Sequence, residues 1–316
     1  IADRQWQVVK EEYFTATGRC AVKTQTGLVL ALKYHLSDNE RLTEQMLRKL
    51  LRDNKNKLNT GFVGTPLLCN VLTEHGMTDL AYRLLLNEEY PGWLHEVKLG
   101  ATTVWERWNS LDENGRISST RMNSLNHYSY GAVLEWIFRH VAGIDVTEQG
   151  PGGKMMRISP KVDHKLGSAS AVYDSASGCY RCGWQIENGD QITVTVTVPF
   201  GAKAQVILPY APDSVYHDTD NPLFETVENG ICCVKAGQYT VTYKAASPLK
   251  KSYSVDSTLE DLLAEPAIRA FLSNMMEVDM IPDLAYGLTL RQAAEAFAGG
   301  VSAEQAQRLN ALLEEF

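Results

Sequence analysis

Tyr180-Arg181-Cys182-Gly183-Trp184-Gln185-Ile186-Glu187-Asn188-Gly189-Asp190-Gln191-Ile192-Thr193-Val194-Thr195-Val196-Thr197-Val198 is the stretch in which the chain changes its period. Tyr180, Cys182, Trp184 and Ile186 alternate with polar or small residues, and Ile192, Val194, Val196 and Val198 alternate with threonines. Successive strand side chains point to opposite faces, so each run presents one apolar face. Asn188-Gly189 between them supplies the positive φ of a tight hairpin turn. Farther on, Asn229-Gly230 precedes another such run, and Tyr239, Val241 and Tyr243 close the region. The pattern predicts an antiparallel β-sandwich over residues 145–248.

Upstream the period is helical. Leu42, Met46, Leu47, Leu50 and Leu51 fall on one face, behind Ser37-Asp38 as the candidate cap. Leu67, Leu68, Val71 and Leu72 make a second stripe, stopped at Gly76, and Leu80, Ala81, Leu84 and Leu85 a third, stopped before Pro91. Tyr128, Ala132, Trp136, Ile137 and Val141 predict a fourth helix ending at Gly143. Short connections favour antiparallel neighbours, so residues 1–144 read as stacked helical hairpins. Downstream, residues 249–316 return to helix. Ser257 with Glu260, Thr289 with Gln292 and Ser302 with Gln305 are capping-box candidates, and Leu309, Leu312, Leu313 and Phe316 form a last stripe. This is a small helical module in which nothing suggests chemistry.

Composition narrows the function. The chain has 316 residues, 44% hydrophobic and 22% charged, with a formal net charge of −8. Nucleic acid demands clustered Lys and Arg, and the longest basic run is Lys250-Lys251, so no nucleic-acid partner is expected. No apolar stretch approaches the roughly 20 residues that span a bilayer. The chain opens on Ile1 rather than Met and reads as a piece of something longer. Its six cysteines, at 20, 69, 179, 182, 232 and 233, are too sparse for a disulfide scaffold. Cys179 and Cys182 have zinc-knuckle spacing without a second pair, and in a strand they face opposite sides. Reduced structural thiols and a cytoplasmic location are the expectation. No metal site is expected, because the seven histidines show no paired helical spacing. No cofactor motif is present either.

Chemistry concentrates in Gly100-Ala101-Thr102-Thr103-Val104-Trp105-Glu106-Arg107-Trp108-Asn109-Ser110. A carboxylate between two indoles, beside an arginine, suits a sugar site, because indole faces stack on sugar rings and a sheltered carboxylate activates water. Trp93, in Tyr90-Pro91-Gly92-Trp93-Leu94-His95, adds aromatic surface. His127, in Asn123-Ser124-Leu125-Asn126-His127-Tyr128-Ser129-Tyr130, adds a hydrogen-bonding ring. The plainer reading makes Trp105-Glu106-Arg107-Trp108 a helix start with a surface ion pair and two core indoles, and His127 a satisfied core histidine.

Gly100 to Ser110 resembles the signature of the α-L-rhamnosidases of glycoside hydrolase family 78. So do Gly61-Phe62-Val63-Gly64-Thr65-Pro66-Leu67-Leu68, Ala81-Tyr82-Arg83-Leu84-Leu85-Leu86, Asn123 through Gly131, and Ser168-Ala169-Ser170-Ala171-Val172-Tyr173 in the sandwich. The order and spacing match over roughly residues 1–210, and the tail resembles helical modules appended to some bacterial glycosidases. The resemblance implies a barrel of six α/α hairpins, of which residues 1–144 would be the C-terminal half, and an inverting hydrolysis of terminal α-L-rhamnose. It implies Glu106 as general base and His127 as a rhamnose contact, with Trp105, Trp108 and Trp93 as further binding residues. The general acid of that family lies in an acidic Arg- and Trp-containing stretch that this sequence lacks. Glu96, Asp112 and Glu135 are poor substitutes: Asp112 sits in a solvated turn, Glu135 reads as an ion-pair residue, and nothing around Glu96 predicts a raised pKa. The expectation is a fragment of a rhamnosidase, inactive alone. The competing readings are a non-catalytic carbohydrate-binding or structural module, or another inverting glycosidase on the same barrel.

Overall fold

The structure is a computed structural model that describes residues 2–118, 122–148, 150–218, 220–297 and 299–314. Residues up to Leu249 form one compact unit and those from Lys250 a second. In the first, helices α1 (Ala2–Tyr13), α2 (Gln25–Lys33), α3 (Glu40–Asp53), α4 (Thr65–Glu74), α5 (Thr78–Leu85), α6 (Trp93–Lys98) and α7 (Val133–Trp136) precede all the strands. Helix α2 packs on α3 and α4, and α4 on α5 and α7, which are the expected helical hairpins.

Helix α3 buries Leu47 and Leu51 completely and leans Met46 and Leu50 on the same core. Its cap differs from the expectation. Asn39 is the N-cap, its side-chain oxygen accepting from the Leu42 amide at 3.1 Å. Ser37 is not free to cap, because its buried hydroxyl donates to the Gly18 carbonyl and accepts from the Asn39 amide. The helix expected through Tyr128 to Val141 is also not uniform. A 3₁₀ turn at Tyr130–Ala132 leads into α7, and the backbone then widens to a π turn over Ile137–Val141. Trp136, fully buried on α7, donates its indole N–H to the Thr73 hydroxyl at 2.8 Å, which ties α7 to α4.

Among the described residues nine strands follow: β1 (Ile144–Val146), β2 (Met155–Ile158), β3 (Ser168–Ser175), β4 (Gly178–Glu187), β5 (Gln191–Val198), β6 (Lys203–Val206), β7 (Val227–Glu228), β8 (Ile231–Val234) and β9 (Gly237–Lys244). One sheet, β3-β4-β5-β9, is antiparallel throughout. The hairpin is as the alternation predicts: Cys182 faces Val196, Trp184 faces Val194 and Ile186 faces Ile192, around Asn188 and Gly189 at positive φ. The other sheet, β1-β2-β6-β8-β7, corrects the expectation of purely antiparallel strands, because β2 and β6 run parallel. Parallel neighbours need a long crossover, and here the connection from β2 to β6 passes through three strands of the other sheet. The inward faces of both sheets share one core with the helices. The Trp184 indole N–H donates to the Val141 carbonyl at 2.7 Å, anchoring the hairpin to the end of the π turn.

The second unit holds α8 (Leu259–Ala264), α9 (Pro266–Ser273), α10 (Leu290–Phe297) and α11 (Ala303–Leu313) around its own core of Val255, Leu262, Ile268, Leu272 and Leu313. Ser302 with Gln305 and Thr289 with Gln292 make reciprocal capping bonds. The expected Ser257 cap is displaced by one residue: Thr258 accepts from the Asp261 amide at 3.2 Å. Phe316, the end of the expected last stripe, lies outside the described residues. Among the described residues no helix is long and apolar enough to cross a membrane.

Candidate functional site

Two irregular segments, 101–110 and 122–129, meet. The stretch Trp105-Glu106-Arg107-Trp108 is not a helix start, since among the described residues no helix lies between α6 and the 3₁₀ turn at Tyr130. Two backbone bonds join the segments: the Glu106 amide donates to the Ser124 carbonyl at 2.9 Å, and the His127 amide to the Val104 carbonyl at 2.8 Å. The Thr103 hydroxyl donates to the Leu125 carbonyl beside them. Glu106 and His127 therefore stand on adjacent rungs of one short antiparallel ladder. Beyond Glu106 the chain turns on Ser110, fully buried, whose hydroxyl accepts from the Arg107 amide at 3.2 Å and whose carbonyl accepts from the Asn123 side-chain amide at 2.9 Å.

Under this ladder lies an aromatic floor. Trp93, Trp105 and Trp108 are 8%, 2% and 8% exposed, so the indoles are buried rather than displayed. Trp108 stacks on Tyr130, centroids 4.0 Å apart and planes within 5°, and meets Trp93 edge-on at 5.4 Å. The Trp93 indole donates to the Tyr130 carbonyl at 3.0 Å and the Trp108 indole to the Thr60 carbonyl at 3.3 Å. Thr60 is itself fixed by a 2.8 Å hydroxyl contact with Thr65 at the start of α4. Gln25, buried on α2, holds the neighbouring loop through the Lys57 carbonyl and the Asn59 amide.

The aromatic surface left open is one the sequence reading did not single out. Phe62 stacks on His127 at 4.9 Å and 14°, and His127 on Tyr128 at 5.1 Å and 14°. Phe62 is 46% and Tyr128 85% exposed, so the imidazole is the middle ring of a partly open aromatic pile. The Ser129 amide donates to His127 Nδ1 at 3.2 Å, so Nδ1 is an acceptor there and a neutral ring carries its proton on Nε2. The signal in the sequence was Phe62 within the Gly61 to Leu68 motif, but its partner depends on a long-range contact.

Of the carboxylates weighed as acids, Asp112 accepts from the Asn114 and Arg116 amides in an exposed turn, and Glu135 pairs with Arg139 at 3.0 Å. Both match their expected roles. Glu96 does not. It is 3% exposed on α6, and burial pushes its carboxyl up to about 7, against a smaller lowering by a hydrogen bond from the Trp105 backbone N–H. One of its oxygens, Oε1, has no hydrogen-bond partner. Burial likewise raises the Tyr130 hydroxyl, helped by the charges of Glu96 and Glu106 and opposed by that of Arg107. The sequence contained no sign of this, because α6 is too short for a periodic stripe to reveal which side faces inward.

Residues 2–141 match the family described as the bacterial alpha-L-rhamnosidase six-hairpin glycosidase domain, and residues 143–221 the bacterial alpha-L-rhamnosidase C-terminal domain. An alpha-L-rhamnosidase of Formosa agariphila is 39% identical over 208 residues, covering 65% of this chain and 22% of that protein. One of Alteromonas sp. is 39% identical over 221 residues, covering 69% and 23%. The chain thus spans under a quarter of these relatives' length. The crystal structure of Streptomyces avermitilis alpha-L-rhamnosidase complexed with L-rhamnose superposes with a TM-score of 0.68 at 32% identity, over 77% of this chain and 24% of that one. That of Aspergillus terreus alpha-L-rhamnosidase gives 0.66 at 28%, over 78% and 26%. With its helical hairpins and its two sheets both accounted for by these relatives, the chain belongs to the bacterial alpha-L-rhamnosidase family.

Proposed function

We propose that this chain is part of an inverting α-L-rhamnosidase that removes terminal α-L-rhamnose from glycosides, and that Glu106 is its general base. In that reading, residues 1–144 are the C-terminal half of an (α/α)6 barrel, 145–248 a β-sandwich and 249–316 an appended helical module. The single observation that carries the reading is the ladder that sets Glu106 and His127 on adjacent rungs, beside buried indoles, in a chain 39% identical over 208 residues to an alpha-L-rhamnosidase. Inversion needs a base that draws a proton from water as that water attacks the anomeric carbon, and an acid that protonates the departing oxygen. The two carboxyls stand about 6.5–9.5 Å apart so that the water fits between them. Glu106, half-buried and bonded through its own amide, suits the first role. His127, with Nδ1 engaged by Ser129, presents Nε2 as a donor to a sugar hydroxyl. Trp93, Trp105 and Trp108 bind sugar indirectly, as the floor that holds those groups.

The acid belongs to residues outside this chain. Glu96 has the proton affinity but is sealed at 3% exposure, Asp112 is exposed and Glu135 is paired. The chain by itself is therefore hydrolytically inert. Incubation with an aryl α-L-rhamnoside tests this, and turnover that disappears in Glu106→Gln would contradict it. All six cysteines are free thiols, which supports a cytoplasmic location.

A further inference from the structure

The His127 ring is held by three contacts. Phe62 stacks on the imidazole at 4.9 Å and 14°, Tyr128 stacks on it at 5.1 Å and 14°, and the Ser129 amide donates to Nδ1 at 3.2 Å. Tyr128 and Ser129 are chain neighbours of His127, so their contacts follow from the local backbone. Phe62 comes from a distant segment, and it is fixed independently of His127. The Thr65 amide donates to the Gly61 carbonyl at 3.0 Å, and the Thr60 and Thr65 hydroxyls meet at 2.8 Å, closing the turn that carries Phe62. Its ring also meets Tyr130 edge-on at 5.7 Å and 64°. Tyr130 stacks on Trp108, whose indole is bonded to the Thr60 carbonyl, so one turn touches both the indole floor and the imidazole. Phe62 is 46% exposed and stands outside the buried core, so its packing is spent on these two rings.

The Ser129 bond does not hold the imidazole alone. The histidine χ2 torsion is broad and two-fold, and a half-turn puts Cδ2 where Nδ1 was. One neutral hydrogen bond favours the bonded orientation by only about fivefold. A stacked ring resists tilting and turning, and an aromatic contact adds a preference of about the same size. We propose that Phe62 is a positioning residue for His127: it fixes the imidazole plane against the floor and so keeps Nδ1 on the Ser129 amide and the proton of the neutral ring on Nε2. That this N–H meets a sugar hydroxyl rests on the reading given under Proposed function. The hold of Phe62 on the ring does not.

The test uses the whole chain, labelled with ¹⁵N, in Phe62→Ala and Phe62→Tyr. Alanine removes the stacked ring, whereas tyrosine keeps it. Spectra are taken in alkaline buffer, where an imidazole is neutral, and His127→Gln identifies the two ring-nitrogen signals. The parent chain should show one protonated nitrogen, Nε2, and one acceptor nitrogen, Nδ1. In Phe62→Ala the two signals should move toward each other as the second tautomer is populated. Hydrogen exchange at the Ser129 amide should quicken about fivefold, the size of the lost preference. Exchange in the β4–β5 hairpin should not change, and Phe62→Tyr should restore both signals and exchange. The assignment is overturned if Phe62→Ala leaves the His127 signals and Ser129 exchange as in the parent chain, if Phe62→Tyr disturbs them equally, or if the hairpin loosens as much. Should Phe62→Ala not fold, Phe62→Leu takes its place in the same comparison. Rhamnose titration examines the sugar contact separately. Rhamnose that leaves the Nε2 signal unmoved contradicts the contact and leaves the tautomer data standing, and an unchanged tautomer contradicts the positioning and leaves the contact standing.

Discussion

Two antiparallel pairings lie in the same unit, and they are held in different ways. The β4–β5 hairpin pairs seven consecutive residues on each side and buries Trp184, Val194, Val196 and Ile192 on its inward face. The ladder between 101–110 and 122–129 has two backbone rungs, a mixture of exposed, half-buried and buried side chains, and no regular strand. The hairpin is stabilised by its own cross-strand apolar contacts. The ladder depends on its neighbours: the Trp108–Tyr130 stack, the Trp93 edge and Ser110. A strand with a full set of cross-strand contacts can hold itself in place, while a segment with two backbone rungs has to be held by its neighbours.

The largest effects should separate the two. Trp184→Ala and Trp108→Ala should each lower stability by about 3–5 kcal/mol, measured by urea unfolding. Only Trp108→Ala should also alter rhamnose binding under conditions where both variants remain folded. Equal effects of the two on binding would dissolve the distinction.

Next comes a dependence on pH. A carboxyl lifted from 4.5 to about 7 in the folded state holds its proton there while the unfolded chain has released it. The folded state then binds more protons between those values, so stability from this group is full below 4.5 and is lost as pH rises to about 7. The span corresponds to on the order of 3 kcal/mol. His140 leans the other way, because burial lowers it from 6.5 to about 4, and stability from a histidine kept neutral rises with pH across that interval. The Glu96 contribution is therefore read as the stability of the parent chain minus that of Glu96→Gln, and that difference should move steadily in favour of the parent chain as pH falls from about 7 to 4.5. A difference independent of pH would show that Glu96 stays ionised.

Gly64→Ala should cost about 1–3 kcal/mol, a typical overpacking penalty. A Cβ there would stand 2.3 Å from the Thr26 hydroxyl and 2.9 Å from the Thr60 methyl, pushing on the carbonyl that supports Trp108. The smallest effects concern a cap. Asn39→Ala should lower stability by about 1 kcal/mol. Asp38→Ala, which removes an exposed pairing with Lys10, should change it by less than about 0.5 kcal/mol. The reverse order would restore the cap first read from the sequence.

The same contrast explains what could be read without coordinates. The hairpin was legible in its two alternating runs and its Asn-Gly turn, because period and turn chemistry are local properties of the chain. So were the stripes of α3, α4 and α5. The parallel β2–β6 pair was not, because those strands are brought together by a crossover and their side chains carry no mark of direction. The caps at Asn39 and Thr258 each missed by one residue, where two adjacent residues could both cap and tertiary contacts chose between them. At the site, the segments that carry Glu106 and His127 are paired through Ser124 and Val104, which sets the two residues on neighbouring rungs. The burial of the three indoles, the pile of Phe62, His127 and Tyr128, and the burial of Glu96 all arise from contacts between distant segments, which no spacing along the chain encodes.

The most direct measurement is a titration of the chain with L-rhamnose, followed by amide chemical shifts and repeated with Glu106→Ala and His127→Ala. The account predicts saturable changes along 103–108 and 124–130 in the parent chain, absent from both variants and unaffected by a substitution on the sheets such as Tyr173→Ala. Changes centred on the sheets, or unaltered in Glu106→Ala, would contradict it.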